Sequence, residues 1–195
     1  MAKKIIVLAG SPRKDGNTNT VVHWFADAAR KAGGHVDVID TSALNYAATG
    51  CTECMGCQRS DKFECVIDDQ ASPVIARIPD YDVLVLATPV FWFGPSAQLK
   101  LTLDRTFALM KFDDRKGPYG PGKPTTLCLI ATAGGDLEAG LNQVDATFRT
   151  AAVFMKCRYE SLLVPLAPPN PTELQGRVDV KTSAAELGRR MATEA

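Results

Sequence analysis

The sequence predicts a doubly wound α/β fold, in which helices cover both faces of a parallel sheet. Five short runs of aliphatic and β-branched residues are continuously apolar rather than alternating, which is typical of strands buried on both faces. Segments with apolar residues at three- and four-residue spacing fill the intervals, as expected for amphipathic helices. A length of 195 residues suits about one domain, so we expect a single domain over residues 1–195. Periodicity alone leaves both common strand orders of such sheets open.

The predicted strands and helices follow one another along the chain. The strands are expected at Lys4 to Ala9, His35 to Asp40, Val83 to Ala87, Thr125 to Ala131 and Arg158 to Val164. Three clear helical faces are formed by Val21, Phe25, Ala28 and Ala32, by Leu99, Leu103, Phe107 and Met110, and by Leu141, Val144, Phe148 and Ala151. Weaker helices are expected after Asp69, a candidate N-cap, and after Ser183, which would form a capping box with Glu186.

Two segments do not fit this repeating pattern. Residues 41–67 make a connection far longer than the roughly 2 to 6 residues usual between a strand and a helix, and they carry four of the six cysteines. Residues 165–182 begin with four prolines at positions 165, 168, 169 and 171. We therefore expect an extended segment there that is neither helix nor central strand.

Composition and charge exclude several classes of protein. Hydrophobic residues make up 46% of the chain and charged residues 23%, as in ordinary globular domains, and the 22 basic and 22 acidic residues cancel. A neutral chain lacks the broad basic surface of a nucleic-acid-binding protein. No apolar run reaches the ~18 residues of a membrane span, and no signal-peptide pattern is complete. We therefore expect a cytoplasmic protein with neither a nucleic-acid nor a membrane partner.

The loop after the first strand is suited to a phosphate. It runs from Gly10 to Asn19, between the carboxyl end of a strand and the amino end of a helix, where free N–H groups and the helix dipole attract anions. It differs from a Walker A motif and from a Gly-x-Gly-x-x-Gly turn, so nucleoside-triphosphate hydrolysis and tight NAD binding are disfavoured at this loop. A plain turn with Thr18 as the helix N-cap is the alternative. The candidate phosphate ligands are Ser11, Arg13, Asn17, Thr18 and Asn19.

Two more loops follow the third and fourth strands. Three consecutive aromatic residues after the third strand offer flat apolar surface, and they cannot all face one core, so at least one should contact a ligand or another chain. In the next helix, Asp104 and Arg105 are expected to be a structural or interface ion pair rather than a catalytic pair. The candidate binding residues of the two loops are Pro89, Val90, Phe91, Trp92, Phe93 and Gly94, and Thr132, Ala133, Gly134 and Gly135.

These motifs resemble those of the NADPH-dependent FMN reductases of the flavodoxin-like superfamily, and in particular the iron–sulfur flavoprotein branch. The similarity lies in Gly-Ser-Pro-Arg followed three residues later by Asn-Thr, in the segment from Thr88 to Lys100, and more loosely in Thr132 to Asp136. The resemblance implies a flavodoxin-like five-stranded sheet that binds FMN without a covalent bond. The first loop would hold the phosphate and the other two the flavin ring. The absence of a dinucleotide turn favours FMN over FAD.

The clustered cysteines resemble the compact motif with which iron–sulfur flavoproteins hold a four-iron four-sulfur cluster. Cys51, Cys54, Cys57 and Cys65 are separated by two, two and seven residues. Two short gaps in succession bring three sulfurs to one side of a tight loop, as a cuboidal cluster needs, whereas structural zinc sites more often split their ligands into two pairs. Zinc and free thiols are the alternatives. Cys128 and Cys157 lie in apolar segments and are expected to be ordinary buried residues.

The resemblance implies an oxidoreductase that takes hydride from NAD(P)H and passes electrons to a small-molecule or protein acceptor. The flavin carries that chemistry, so no side chain is expected to be catalytic. The aromatic loop and the Pro-rich segment favour a homodimer or homotetramer, as do family members that complete their flavin site across subunits. Two other kinds of protein share the motifs: an electron carrier reduced by a protein partner, and a redox-sensing or zinc-clipped interaction protein.

Overall fold

Five parallel strands form the centre of the structure, a computed structural model that describes residues 2–112 and 124–194. The sheet order is β2-β1-β3-β5-β6, and the two-residue strand β4 pairs antiparallel with the end of β3. This is the flavodoxin-like order, so the structure decides between the two orders that periodicity left open and confirms the predicted fold. The strands are β1 (Lys4–Ala9), β2 (His35–Asp40), β3 (Val83–Phe91), β4 (Gly94–Pro95), β5 (Thr126–Thr132) and β6 (Arg158–Val164).

Helices pack on both faces of the sheet. They are α1 (Asn17–Lys31), α2 (Gly56–Arg59), α3 (Ala71–Arg77), α4 (Ala97–Leu103), α5 (Asn142–Met155) and α6 (Val178–Thr193). Successive side chains of a strand point to opposite faces, so Ile5 and Val7 pack with α1 and α6, while Ile6 and Leu8 pack with α3, α4 and α5. None of the described helices is long and apolar enough to cross a membrane.

The third strand extends beyond its predicted end. It continues four residues past Ala87, because Val90 and Phe91 pair with Pro95 and Gly94 across a two-residue turn. The residues expected to begin a loop are therefore the last part of a strand and its hairpin. The fifth strand in chain order is shifted by one residue, to Thr126–Thr132.

The prediction of an extended segment over residues 165–182 is wrong in its second half. A 3-10 helix spans Pro171–Gly176, and α6 begins at Val178, so Ser183 lies inside a helix and does not cap one. Pro171 is compatible with a helix because it lies in the first turn, where no backbone N–H is needed. Asn170 starts the turn by accepting a hydrogen bond from the Thr172 N–H at 3.2 Å.

The long connection after β2 is present as predicted. It holds a 3-10 turn at Thr41–Ala43 and the single-turn helix α2, and it leads into α3. Asp69 caps α3 as expected, because its Oδ1 accepts hydrogen bonds from the N–H groups of Ala71 and Ser72. Of the two cysteines outside this connection, Cys128 is buried, whereas Cys157 is half-buried, contrary to expectation.

Candidate functional site

A cleft of about 230 Å³ lies at the carboxyl edge of the sheet. The loops after β1, β5 and β6 and the last residues of β3 form its walls, at the switch point where open α/β sheets bind ligands. The lining consists of Ser11, Pro12, Arg13, Gly16, Asn17, Thr18, Pro89, Val90, Phe91, Thr132, Ala133, Gly134, Ala167, Pro168 and Pro169. Most of the predicted binding residues are therefore brought together. The exceptions are Asn19, Trp92, Phe93, Gly94 and Gly135.

The loop after β1 is held in shape by its own polar groups. Ser11 is buried, and its hydroxyl accepts a hydrogen bond from the Arg13 N–H at 3.3 Å and lies 3.2 Å from the Arg13 carbonyl. The N-cap of α1 is Gly16, not Thr18, and no described side chain caps this helix. The first N–H groups of α1 therefore have no side-chain acceptor and are free to donate to an anion.

Thr18 has a different task from capping. Its hydroxyl lies 2.7 Å from the hydroxyl of Thr132, and both side chains are buried, so one hydrogen bond joins the first turn of α1 to the end of β5. This contact links two walls of the cleft. Its partners are 114 positions apart, which is why sequence reasoning placed both residues at the site without pairing them.

Asn17 connects the first wall to the Pro-rich segment. Its amide Nδ2 donates to the Pro168 carbonyl at 2.8 Å, and this contact makes residues 167–169 the fourth wall, which the sequence did not predict. Its Oδ1 is buried and has no hydrogen-bond partner among the described residues. Because a buried acceptor without a donor costs free energy, this atom fits a ligand that supplies a hydroxyl group.

Asn19 supports the loop instead of lining the cleft. Its Nδ2 donates to the carbonyls of Arg13 at 3.2 Å and Lys14 at 3.1 Å. The loop backbone is thereby tied to the first turn of α1. Asn19 therefore fixes the position of Arg13 and does not face the cleft itself.

The aromatic residues divide between the cleft and its outer rim. Phe91 lines the cleft, whereas Trp92 and Phe93 form the two-residue hairpin turn and are 94% and 58% exposed. Both turn residues have positive φ, 49° and 62°, a conformation that hairpins normally assign to Asn and Gly. Each such residue costs about 1 to 3 kcal/mol, and strain of this kind is concentrated at functional sites.

A glycine that the sequence did not single out supports this turn. Gly140 has φ +112°, and a Cβ built there would lie 2.6 Å from Val90 Cγ1 and 3.0 Å from Phe93 Cα. It belongs to a short π-helical turn, Leu137–Leu141, before α5. A side chain at position 140 would therefore prevent the backbone from lying this close to the aromatic turn.

The four clustered cysteines line a second, much smaller cavity of about 20 Å³. Cys51 and Cys54 are exposed, Cys57 is buried and Cys65 is half-buried. Glu53 and Met55 have positive φ and turn the chain sharply around Cys54. As they stand, no three His, Cys, Asp or Glu side chains in residues 2–112 and 124–194 are placed to hold one metal ion. The sulfurs thus share a cavity without converging on a point.

Local hydrogen bonds favour the thiolate form of Cys54. The Gly56 N–H donates to its sulfur, and the Thr52 hydroxyl does so as well, which lowers the pKa of the thiol. The thiolate is the form of cysteine that binds metals.

The predicted pairing of Asp104 with Arg105 is wrong. Asp104 pairs on the surface with Lys100 at 2.5 Å, one helical turn away. Arg105 is buried and pairs with the Asp69 carboxylate at 2.6 Å. Adjacent residues of a helix point in different directions, and the partner of Arg105 is 36 positions away, so no local pattern indicates it.

A second buried cation also holds residues 41–67, the cysteine loop. Lys111 donates to the carbonyl of Cys57, to that of Ser60 at 3.0 Å and to that of Lys62 at 2.7 Å. Gln58 of α2 donates to the Met110 carbonyl at 2.8 Å. Residues 105–112 therefore fasten the loop to the rest of the structure, a role that sequence reasoning missed.

Comparison with known proteins places this architecture in a family. The chain is 32% identical over 104 residues to an iron–sulfur flavoprotein of Methanocaldococcus jannaschii, which covers 53% of this chain and 51% of that protein. It is 31% identical over 108 residues to an iron–sulfur flavoprotein of Methanosarcina thermophila, which covers 55% and 54%. The chain thus spans about half the length of these curated relatives.

Solved structures share the fold. An NAD(P)H:quinone oxidoreductase from Methanothermobacter marburgensis superposes with a TM-score of 0.78 at 16% identity, over 100% of this chain and 98% of that one. The family profile described as NADPH-dependent FMN reductase matches residues 3–159, which include every loop of the cleft except that after β6, and the whole cysteine loop. The resemblance first visible in the phosphate loop is confirmed, and the chain belongs to the NADPH-dependent FMN reductase family.

Proposed function

We propose that this chain binds FMN and acts as an NAD(P)H-dependent oxidoreductase that passes electrons to a second acceptor through a four-iron four-sulfur cluster. The observation that carries the proposal is the pair of cavities. One combines a phosphate loop, an aromatic hairpin and a glycine-containing loop, and the other is lined by four cysteines. Both occur in a chain of the FMN reductase family.

The cleft fits the phosphate and ribityl parts of FMN. The uncapped N–H groups of α1 would donate to the phosphate, the Ser11 hydroxyl holds the loop in shape beside them, and Arg13 supplies a positive charge at the rim. The unpartnered Oδ1 of Asn17 would accept a hydrogen bond from a ribityl hydroxyl. These donors and acceptors match a mononucleotide, and FMN is therefore the expected flavin.

Phe91 lines the cleft, and it would contact the flavin ring on the side of the aromatic turn. At about 230 Å³ the cleft is smaller than the roughly 300 to 1,000 Å³ usual for ligand pockets, so it encloses only part of the cofactor. Pro89, Val90, Ala133 and Gly134 line the cleft and would hold the inner part of the ring. Residues 92–94 and Gly135 lie outside the lining and would meet only the part of the ring that the cleft does not enclose. When bound, FMN supplies the hydride acceptor and the store of electrons, and the protein supplies binding and orientation.

The cysteine cavity fits an iron–sulfur cluster by the chemistry of its ligands. Four thiols line it, hydrogen bonds favour the thiolate of Cys54, and Cys51 and Cys54 are exposed, so both can rotate toward Cys57 and Cys65 without unpacking the core. A Cβ at Gly56 would lie 2.4 Å from Val66, so the chain is tightly packed beneath these ligands. When bound, the cluster supplies one-electron transfer.

A substitution of one cysteine tests the metal part of the proposal. Protein purified without oxygen should contain FMN, iron and sulfide, and its broad absorption near about 400 nm should exceed that of the flavin. Cys54→Ser should lose iron and this absorption but keep FMN, whereas the control Cys157→Ser, outside the cavity, should keep both. Stoichiometric FMN without iron or sulfide would contradict the cluster and leave a simple FMN reductase; stoichiometric zinc would make the cysteines a structural site.

A further inference from the structure

Arg105 contacts the cysteine loop and the adjoining Asp69 through all three nitrogens of its guanidinium group. It is only 1% exposed, and a buried guanidinium is stable only when its charge is paired and its N–H groups have acceptors. Nη1 donates to Asp69 Oδ2 at 2.6 Å, Nη2 donates to the Ile67 carbonyl at 3.1 Å, and Nε donates to Cys65 Sγ at 3.4 Å. The end of the cysteine loop and Asp69 therefore supply an acceptor for each nitrogen.

The Asp69 carboxylate does not use the whole charge of the Arg105 guanidinium, which can therefore also act on the Cys65 sulfur. Its oxygens also accept hydrogen bonds from the N–H groups of Ala47, Ala71 and Ser72, at 2.9, 3.0 and 3.2 Å. The negative charge is thus shared with backbone donors. Because Nη1 and Nη2 take the oxygen acceptors, Nε is the nitrogen directed at Cys65.

Cys65 depends on this contact more than the other three cysteines. Those three are separated by two residues each and are positioned by tight turns at Glu53 and Met55, whereas seven residues separate Cys65 from Cys57. Cys65 is held instead by Arg105 at its sulfur and by Ser72, whose hydroxyl donates to its carbonyl. Arg105 and all four cysteines line the same cavity.

We propose that Arg105 is a positioning residue for the cluster: it holds the Cys65 sulfur in place as the fourth ligand and raises the reduction potential of the bound iron–sulfur cluster. The inference rests on the cluster of the proposed function. A cationic donor draws negative charge from a ligating sulfur and so favours the reduced, more negative cluster. The step concerned is the uptake of one electron, from the flavin in the protein and from dithionite in the test, and no bond is formed or broken.

A potentiometric titration of the anaerobic holoprotein tests this role. Arg105→Gln, which removes the positive charge, should lower the equilibrium constant for reduction about tenfold, which is about 59 mV for one electron. Arg105→Lys keeps the charge but has one nitrogen for the three acceptors, so its midpoint should fall between those of the wild type and Arg105→Gln. Arg77→Gln is the matched control, because Arg77 is 52% exposed and bonds Asp37 and Tyr81, away from the cysteines. Its midpoint should equal that of the wild type.

Iron content and circular dichroism, measured on the same samples, separate the outcomes. Full iron in Arg105→Gln with an unchanged midpoint would overturn the inference and leave the proposed function intact. Loss of iron from a folded, FMN-containing Arg105→Gln protein would support the role of Arg105 in holding Cys65. The midpoint of Arg105→Lys would then decide whether Arg105 also raises the reduction potential of the cluster. A midpoint below that of the wild type would support this effect, and an equal midpoint would overturn it. Wild-type protein that contains FMN but no iron would contradict both the proposed cluster and the inference about Arg105.

Discussion

Two arginines show how burial decides what a single side chain contributes. Arg13 is exposed at the mouth of the cleft, where its charge is available to a ligand and screened by water. Arg105 is buried, and its charge is committed to Asp69 and to the cysteine loop. The sequence motif indicated the first role, because Arg13 stands in a recognisable loop, but it could not indicate the second, which depends on a partner far along the chain.

Replacing Arg13 tests the phosphate loop. Arg13→Ala should weaken FMN binding by about 1 kcal/mol, roughly fivefold in Kd, because a charge-assisted hydrogen bond at an exposed site is partly screened by solvent. Lys14→Ala removes the same charge from a residue that does not line the cleft, and it should leave Kd unchanged. Titration of FMN-free protein by flavin fluorescence measures both values. Equal Kd values for the wild type and Arg13→Ala would place Arg13 outside the site.

The Asp69 carboxylate predicts a pH dependence of stability. Burial raises its pKa, but hydrogen bonds from Arg105 and from backbone N–H groups outweigh this and lower the pKa to about 2. The folded value lies below the unfolded value of about 3.9, so the carboxylate stabilises the fold above about pH 4, and this contribution is lost as the pH falls toward 2. At about pH 7, Asp69→Asn should therefore lower the unfolding free energy by about 2 kcal/mol, and by less at about pH 3.

Urea unfolding at both pH values makes this measurement, with Asp179→Asn as the control. Hydrogen bonds from Arg177 lower the pKa of Asp179 to about 2 as well, but this carboxylate lies on the surface, where water screens the interaction. Asp179→Asn should therefore cause no measurable loss. A difference between wild type and Asp69→Asn that stays constant with pH would refute the assignment.

The hairpin after β3 shows strain at the scale of one element. Its two turn residues are large aromatics in a conformation that favours Asn and Gly, and Gly140 supports them closely from the π-helical turn. A turn chosen for stability alone would have a different sequence. We therefore propose that the aromatic pair contacts the flavin ring where it leaves the cleft.

Exchanging these two residues should separate stability from binding. The double substitution Trp92→Asn and Phe93→Gly suits the turn and should raise the unfolding free energy of the FMN-free protein by about 1 kcal/mol. It should also weaken FMN binding, because the ring loses its aromatic contacts. Phe154→Ala, which removes an exposed aromatic ring outside the cleft, should leave FMN affinity unchanged. A less stable double variant, or one with unaltered Kd, would count against this explanation.

For the whole molecule, the sequence predicted those features that depend on residues close together along the chain. The strands follow from continuous apolar runs, and three walls of the cleft follow from motifs at strand ends. The fourth wall does not follow from the sequence because it depends on the contact of Asn17 with Pro168. The 3-10 helix at Pro171–Gly176 does not follow from it either, because proline breaks a helix interior but is accepted in the first turn. The Arg105 and Lys111 contacts were missed for the same reason as the fourth wall, since both cations bind groups more than 35 positions away.

The exposed aromatics also predict an assembly of several copies. Phe91, Trp92 and Phe93 form a large apolar surface beside the cleft, of a kind that monomers rarely leave in water. We expect a homodimer or homotetramer in which this surface is covered, and Trp92→Glu should shift the protein toward smaller species. Light scattering coupled to gel filtration measures the mass. A wild-type monomer with full flavin occupancy would contradict the expectation.

The central claim is that NAD(P)H reduces FMN held in the cleft, and anaerobic mixing of the purified holoprotein with NADPH or NADH tests it most directly. We predict that one of the two nucleotides bleaches the flavin absorbance within seconds and without a protein partner, and that the cluster absorbance falls afterwards. If neither nucleotide bleaches the flavin while dithionite does, the protein is an electron carrier that another protein reduces, and the account of an NAD(P)H-dependent oxidoreductase is wrong.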